Sequence, residues 1–205
     1  MVTSRNRART GATSEDEVKT IEIRWHARGG QGAVTASKLL AETALEEGKY
    51  FQGMPDYGAE RSGAPIRAYT RISAAPIKPY CMVTEPDVVA VLDTTLIGVV
   101  DITEGLKKDG VILVNSSQSP DDIRSQIGFK GKIYTVDATA IAMEALGRNL
   151  PNTPMLGALA KVTGIVGKES LAREVRSKFG VTMKKDIVEA NVKALEKAYD
   201  SVQGG

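Results

Sequence analysis

The hydrophobic pattern of the first half of the chain predicts alternating strands and helices. An apolar, β-branched run from Ile21 to Ala27 reads as a strand, and after a glycine-rich loop the residues from Ala33 to Glu47 show helical spacing up to a stop at Gly48. A short strand over Lys49 to Gly53 follows. Apolar and polar residues then alternate from Ile66 to Ser73, which predicts a third strand with one basic face.

The second half repeats this order and then becomes helical. Nearly continuous apolar runs predict strands that are covered on both faces: Val88 to Leu92, Val111 to Val114 and Ile133 to Val136. Helical spacing is present over Thr95 to Thr103, Met155 to Ile165, Glu169 to Phe179 and Lys184 to Val202. We therefore expect a single Rossmann-like α/β domain over residues 20–205, with a mostly parallel sheet flanked by helices.

Composition and charge limit the partners of this domain. Residues 1–19 lack periodicity and large apolar groups, which predicts a disordered tail. The net charge is +2 and aromatic residues are 5% of the chain, so we expect no nucleic-acid partner. The sequence has no secretory signal pattern and no run of about 18 apolar residues, so we expect a cytoplasmic protein with no membrane contact.

The single cysteine and single histidine restrict the chemistry. Cys81 alone cannot form an internal disulfide or hold an iron–sulfur cluster, and His26 alone cannot complete a metal site or a serine–histidine relay. We therefore expect no metal site and no catalytic residue here, and any redox cofactor must lie on another chain. His26 is most simply a strand residue, and its neighbour Trp25 is most simply part of the core.

The loop Arg28-Gly29-Gly30-Gln31-Gly32 is the first candidate site. Its glycines allow a sharp turn and close approach of a ligand, and the helix that follows presents free N–H groups to an anion. The dinucleotide fingerprint is incomplete because Thr35 stands where its third small residue belongs, and no acidic residue ends the second strand. Two interpretations stay open: an anion site, or a tight turn for helix–strand packing.

Other polar residues stand at loops and strand ends. The segment from Pro55 to Pro65 is a second glycine-rich loop that carries Glu60 and Arg61. Asp93, Asn115 and Asp137 each follow a predicted strand, where both helix caps and ligands of α/β sheets are found. Capping is the interpretation we favour for each of these three.

Together these segments resemble the gamma subunit of the pyruvate:ferredoxin oxidoreductase family. The resemblance rests on Ile23 to Thr35 and Gly58 to Tyr69, and it extends through Pro86 to Val89, Val136 to Thr139, Asn152 to Ala158 and Glu189 to Asn191. In this family a 2-oxoacid is decarboxylated on thiamine diphosphate, electrons pass through iron–sulfur clusters to ferredoxin, and coenzyme A accepts the acyl group. The loop from Glu60 to Pro65 resembles pyruvate and branched-chain enzymes, and pyruvate is favoured.

The resemblance implies that this chain carries no cofactor of its own. Thiamine diphosphate, Mg²⁺ and [4Fe-4S] clusters would belong to alpha, beta and delta partner subunits, with ferredoxin reached through the complex. We expect Arg28 to Gly32 to form a subunit contact or to bind coenzyme A phosphate, and Glu60, Arg61 and Arg67 to lie at an interface near the thiamine site. The alternatives are a branched-chain 2-oxoacid enzyme, a free-standing nucleotide-binding protein, or a pure assembly protein.

Overall fold

The computed structural model describes residues 20–56, 63–78 and 80–205, and there it forms one seven-stranded sheet covered on both faces. The strands are β1 (Ile21–Arg28), β2 (Tyr50–Asp56), β3 (Pro65–Ser73), β4 (Val88–Val91), β5 (Val111–Asn115), β6 (Lys132–Val136) and β7 (Gln203–Gly204). The helices are α1 (Ala33–Glu46), α2 (Pro120–Ile127), α3 (Ala138–Leu146), α4 (Asn152–Thr163), α5 (Lys168–Gly180) and α6 (Lys185–Ser201). The predicted tail, Glu60 and Arg61 lie outside the described residues.

The strand order is β2-β3-β1-β4-β5-β6-β7. The four strands β1, β4, β5 and β6 are parallel neighbours. Strand β3 runs antiparallel to both β1 and β2, so β2 has the same direction as β1, and β7 is antiparallel to β6. Only β3 and β7 therefore oppose the rest, which confirms the predicted mostly parallel α/β sheet.

Several local predictions need correction. The helix predicted over Thr95 to Thr103 is wrong: a 3-10 turn covers Thr94–Leu96, and extended Ile97 followed by Gly98 at φ 82° ends it. Helices α2 and α3 and the short β7 were not predicted. Pro55 and Asp56, expected in the second loop, belong to β2, and Pro65 belongs to β3. The second strand therefore does end in an acidic residue, contrary to the sequence interpretation, but β3 lies between it and β1.

The core has two parts, one on each face of the sheet. On the first face, helices α1, α4, α5 and α6 cover β1 and β4, and Trp25 is fully buried there with its Nε1 donating to Thr70 Oγ1 at 3.0 Å. The expected core role of Trp25 is confirmed. On the second face, Ile102 and Ile123 pack against inward residues of β4, β5 and β6. In the described part of the chain, no helix is long and apolar enough to cross a bilayer.

The chain leaves β1 and β4 in opposite directions, and this positions the candidate site. After β1 it enters α1 on the first face, whereas after β4 it crosses the second face through Ile97 and Val100. The loops that follow these two adjacent parallel strands therefore diverge. A crevice at such a point is where α/β sheets commonly bind ligands.

Candidate functional site

The glycine loop between β1 and α1 lies at this crevice. Gly30 and Gly32 have φ values of 98° and 81°, a region that side chains other than glycine rarely adopt. A Cβ on Gly32 would lie 2.7 Å from Asn152 Nδ2, whereas a Cβ on Gly30 would meet nothing within 4 Å. Gly32 thus allows α1 to pack closely against α4, and Gly30 faces open space.

Gln31 holds this loop together through its side chain. Its Oε1 accepts from the Arg28 backbone N–H at 2.8 Å, and its Nε2 donates to Asp93 Oδ2 at 2.6 Å. Both the oxygen and the nitrogen of the side-chain amide are therefore hydrogen-bonded within the protein. The structure assigns Gln31 to bridging the two edges of the crevice.

Arg28 crosses the same crevice. Its Nε donates to Thr95 Oγ1 at 2.8 Å, and its NH1 donates to the Gly63 carbonyl at 3.0 Å. The Asp93 carboxylate lies 3.6 Å from its Nε. The backbones of Gly29 and Gly63–Ala64 also pair, through Gly29 N–H to Ala64 O at 2.9 Å and Gly63 N–H to Gly29 O at 3.3 Å. Because these bonds hold the Arg28 guanidinium against the protein, a phosphate could contact it only from its solvent-facing side.

Asp93 is the acidic centre of this network. Partial burial alone would raise its pKa, but hydrogen bonds from the Thr95 side chain and backbone, a hydrogen bond from Gln31 and the charge of Arg28 outweigh burial and lower the pKa. Asp93 also caps the 3-10 turn by accepting from Thr95 N–H. The favoured capping interpretation is confirmed for Asp93, and likewise for Asp137, which accepts from Ala140 N–H at the start of α3.

A polar depression of about 520 Å³ lies beside the crevice, at the carboxyl ends of β4, β5 and β6. Thr95, Ser116, Gln118 and Thr139 are among its lining residues. Asn115 at its base connects β4 to α3, because it donates to the Leu92 carbonyl at 2.8 Å and accepts from Thr139 N–H at 3.0 Å. Asn115 is thus a structural link, and hydroxyl and amide groups surround it.

Arg67 lies away from the glycine loop, in a second cleft of about 440 Å³, here called the His26 cleft. The lining residues are His26, Asp56, Pro65, Ile66, Arg67, Val100, Asp101 and Glu104. Arg67 lies 3.6 Å from Asp56 Oδ2 and 3.3 Å from Glu104 Oε2. The described candidates therefore form two groups: Arg28 to Gly32 at the crevice, and Arg67 in the His26 cleft.

The basic face predicted for β3 is exposed only at Arg67. Arg71 is buried and forms a salt bridge with Glu22, and it also donates to the Cys81 carbonyl. Tyr69 between the two arginines is buried as well. Arg71 is therefore an internal cross-link between β3, β1 and the segment that carries Cys81.

His26 is a buried group at the floor of its cleft. It is 2% exposed, and within the described residues its Nε2 has no hydrogen-bond partner. Burial, together with the nearby charges of Arg24 and Arg67, lowers the pKa of His26 to about 3. The imidazole is therefore neutral at physiological pH.

Sequence reasoning missed Thr95, Asp101, Glu104 and Asn152 as parts of these two groups. One signal was available for the first two: Asp93-Thr94-Thr95 and Asp101-Ile102-Thr103 share the pattern Asp-x-Thr. In both, the aspartate Oδ1 accepts from the threonine N–H and hydroxyl two residues later. Such turns favour aspartate followed by threonine at this spacing.

Comparison with known proteins gives consistent matches over nearly the whole chain. The family model described as pyruvate ferredoxin/flavodoxin oxidoreductase matches residues 22–201. Pyruvate synthase subunit PorC of Thermotoga maritima is 49% identical over 185 residues, which cover 90% of this chain and 96% of that protein. The pyruvate/ketoisovalerate oxidoreductases common subunit gamma of Pyrococcus abyssi is 47% identical, with coverage of 89% and 97%.

A solved structure gives the same picture. The crystal structure of pyruvate oxidoreductase subunit PORC from Thermotoga maritima matches with a TM-score of 0.81 at 46% sequence identity. The match covers 91% of this chain and 99% of that chain. The structural similarity therefore extends over nearly the whole domain.

Proposed function

The chain belongs to the pyruvate ferredoxin/flavodoxin oxidoreductase family, and we propose that it is the gamma subunit of a pyruvate synthase. The complex oxidises pyruvate with coenzyme A to acetyl-CoA and CO₂ and passes the electrons to ferredoxin. The observation that carries the proposal is near-complete coverage, 96% and 97%, of two relatives that are themselves named as subunits. Both names include pyruvate, and the second also includes ketoisovalerate, a branched-chain 2-oxoacid, so an enzyme restricted to branched-chain substrates is not favoured. Because both relatives are subunits, a free-standing nucleotide-binding protein is not favoured either.

We assign the cofactors to partner subunits. A [4Fe-4S] cluster takes four thiolates, and this chain has one cysteine, so its residues do not fit that group. Among the described residues, no group of three or more His, Cys, Asp or Glu is placed to hold a metal ion. Thiamine diphosphate, Mg²⁺ and the clusters would then be carried by alpha, beta and delta subunits, and the isolated chain would be inactive.

The test of this assignment is purification of the C-terminally tagged chain from its own host without oxygen. Mass spectrometry identifies the chains that accompany it, and reduction of a viologen dye measures activity with pyruvate and coenzyme A. Co-purification of thiamine- and cluster-bearing chains, with activity that requires both substrates, is the expected result. Recovery of the chain alone under gentle conditions would overturn the proposal.

We assign the glycine loop mainly to subunit contact. This is supported by Arg28 and Gln31, whose side chains are largely engaged within the protein, and by the open space over Gly30, which leaves room for another backbone. The N–H groups at the start of α1 also suit a phosphate of coenzyme A, because Gly32 provides no side-chain cap. Loss of a coenzyme A contact would raise the KM for coenzyme A, whereas loss of a subunit contact would weaken assembly of the complex.

Substitution of arginines separates these two roles of the loop. A coenzyme A contact predicts that Arg28→Ala and Arg61→Ala raise the KM for coenzyme A in the assembled complex. Arg173→Ala is the matched control, because the exposed Arg173 donates only to Ser170 on α5. An unchanged KM for coenzyme A in an intact complex would remove the coenzyme A contact and leave the subunit contact.

A further inference from the structure

The His26 cleft has a charge pattern different from that of the crevice. Among the described residues, its exposed or partly exposed charged groups are the carboxylates of Asp56, Asp101 and Glu104 and the guanidinium of Arg67, a net charge of −2. Arg67 is already close to Asp56 and Glu104. An entering group therefore meets a net negative charge.

The deeper cation beneath the cleft does not reverse this balance. Arg24 is buried, its NH2 donates to the Ile102 carbonyl at 3.0 Å, and its Nε has no hydrogen-bond partner among the described residues. With Arg24 included, the five charged groups still sum to −1. The cleft therefore favours a cation over an anion.

His26 adds a buried imidazole to this set. A neutral imidazole has one nitrogen with a free lone pair, and at physiological pH His26 remains neutral because it is buried between Arg24 and Arg67. A protonated His26 would offer donors only. Its lack of a partner at Nε2 is unusual, since buried polar atoms in folded proteins are almost always hydrogen-bonded.

Apolar groups form the remaining walls. Pro65, Ile66 and Val100 line the cleft together with the carboxylates. Lysine and arginine side chains combine a long apolar stem with a charged head, and they bury the stem against such surfaces. The apolar walls of the cleft suit such a stem, and its carboxylates suit the charged head.

We propose that the His26 cleft receives a lysine or arginine side chain from a partner subunit of the oxidoreductase. The proposal rests on the function proposed above, since it requires that the chain works within a complex. The stem lies against Ile66 and Val100, and the charged head reaches Asp101 and Glu104. His26 forms part of the floor as a neutral imidazole.

The first test removes the charges of two carboxylates while keeping the shape of their side chains. In the tagged complex, Asp101→Asn combined with Glu104→Gln keeps the acceptor for Thr103 but removes two charges. We expect the partner chains to dissociate at lower salt, with a roughly tenfold loss of affinity. Asp121→Asn combined with Glu169→Gln is the control, because these two acidic residues are exposed and lie outside the cleft.

The second test identifies the group that enters. A photo-crosslinking amino acid at position 104, where the native side chain is 66% exposed, is activated in the assembled complex, and the joined peptides are sequenced. We expect a partner peptide with a lysine or arginine at or next to the crosslink. Crosslinks confined to this chain, or to partner peptides without a basic residue, would overturn the proposal.

The two proposals fail in different ways. If the wild-type chain recovers no partner, the proposed subunit function fails. If the wild-type chain and the Asp101→Asn, Glu104→Gln variant retain partners equally as salt rises, only the cleft proposal fails. Reduced retention in the variant, with normal retention in the control, supports it.

Discussion

The crevice at the glycine loop and the His26 cleft lie at the two sides of the same strand end, and their polar groups are satisfied differently. At the crevice, Gln31, Asp93 and Arg28 bond to one another and to Thr95 within the chain. At the cleft, three carboxylates converge near a neutral histidine whose Nε2 has no partner in the described part of the chain. One region is complete in the isolated fold, and the other has unfilled hydrogen-bonding capacity.

The crevice is therefore a preorganised loop, whereas the proposal above makes the cleft a surface that another chain completes. A buried polar network rigidifies a loop when every member is bonded. An unbonded buried group costs stability in the isolated chain, and a partner that rearranges the cleft can offset this cost. Substitutions that loosen the crevice, and changes of pH that ionise buried groups, should therefore have separate effects on stability.

The largest effect is expected for Gly32→Ala. The new Cβ requires a strained φ of 81° and would lie 2.7 Å from Asn152 Nδ2 and 2.9 Å from Asn152 Cγ. We expect the free energy of unfolding, measured with urea, to fall by about 3 kcal/mol. Gly30→Ala is the control, because it has the backbone strain without the contact and should cost about 1 kcal/mol. Equal costs would contradict the close packing described for α1 and α4.

The ionisation of His26 gives the next prediction. Its pKa is about 3 in the fold against 6.5 for the free group, so the unfolded chain binds a proton between these values that the folded chain does not. Stability contributed by neutral His26 is therefore present above pH 6.5 and is lost as pH falls toward 3, by about 2–3 kcal/mol near pH 4. His26→Gln should remove this slope in urea unfolding. A histidine NMR titration with a midpoint near 6.5 would contradict the buried neutral state.

Glu174 should give a pH dependence of stability opposite in sign to that of His26. This side chain is 3% exposed, and burial, a hydrogen bond with Glu46 and the charge of Glu46 raise its pKa from 4.5 to about 7, although Lys178 acts against the rise. The folded chain then retains a proton between pH 4.5 and 7 that the unfolded chain has released, so this contribution falls as pH rises through that window.

Glu174→Gln tests the direction of this pH dependence of stability. Above pH 7 the variant should be more stable than the wild type by on the order of 2 kcal/mol, and near pH 4 the two should be alike. Thermal unfolding at both pH values measures the difference. A variant that loses stability above pH 7 would show that Glu174 is favourably paired there.

The smallest effect is expected for Gln31→Ala. The change removes the bonds to the Arg28 backbone and to Asp93, and it should reduce the free energy of unfolding by about 1–2 kcal/mol. Gln126→Ala is the matched control, since Gln126 donates only to the exposed Gln118 and should change little. A loss no larger than that of the control would mean that the bridge across the crevice is not rigid.

The predictable parts of the fold were those with strong local patterns. The helical spacing and the glycines around Ala33 to Glu47 located β1, the loop and α1 almost to the residue. The helix expected at Thr95 to Thr103 failed because Leu96 and Ile102 are buried from a 3-10 turn and a loop, which local spacing cannot distinguish from a helix. Helix α2 is short and polar, and a capping box at Ser119 starts it.

The candidate site was only partly predictable for a related reason. The glycine loop and Asp93 stood out in the sequence, but Gln31 bonds to Asp93 across 62 positions and Arg28 to Thr95 across 67. No local pattern encodes such pairs, so the internal role of Arg28 and Gln31 could not be foreseen. The buried, neutral state of His26 depends likewise on Arg24, Arg67 and the segment around Asp101, which come together only in the fold.

The most direct test of the central claim is removal and return of this chain. The remaining subunits, produced without it, are assayed for viologen reduction with pyruvate and coenzyme A before and after the purified chain is added. The account predicts no activity from either preparation alone and recovery of activity when they are combined. Full activity without this chain, or no recovery with a folded chain that binds the complex, would contradict its role as the gamma subunit.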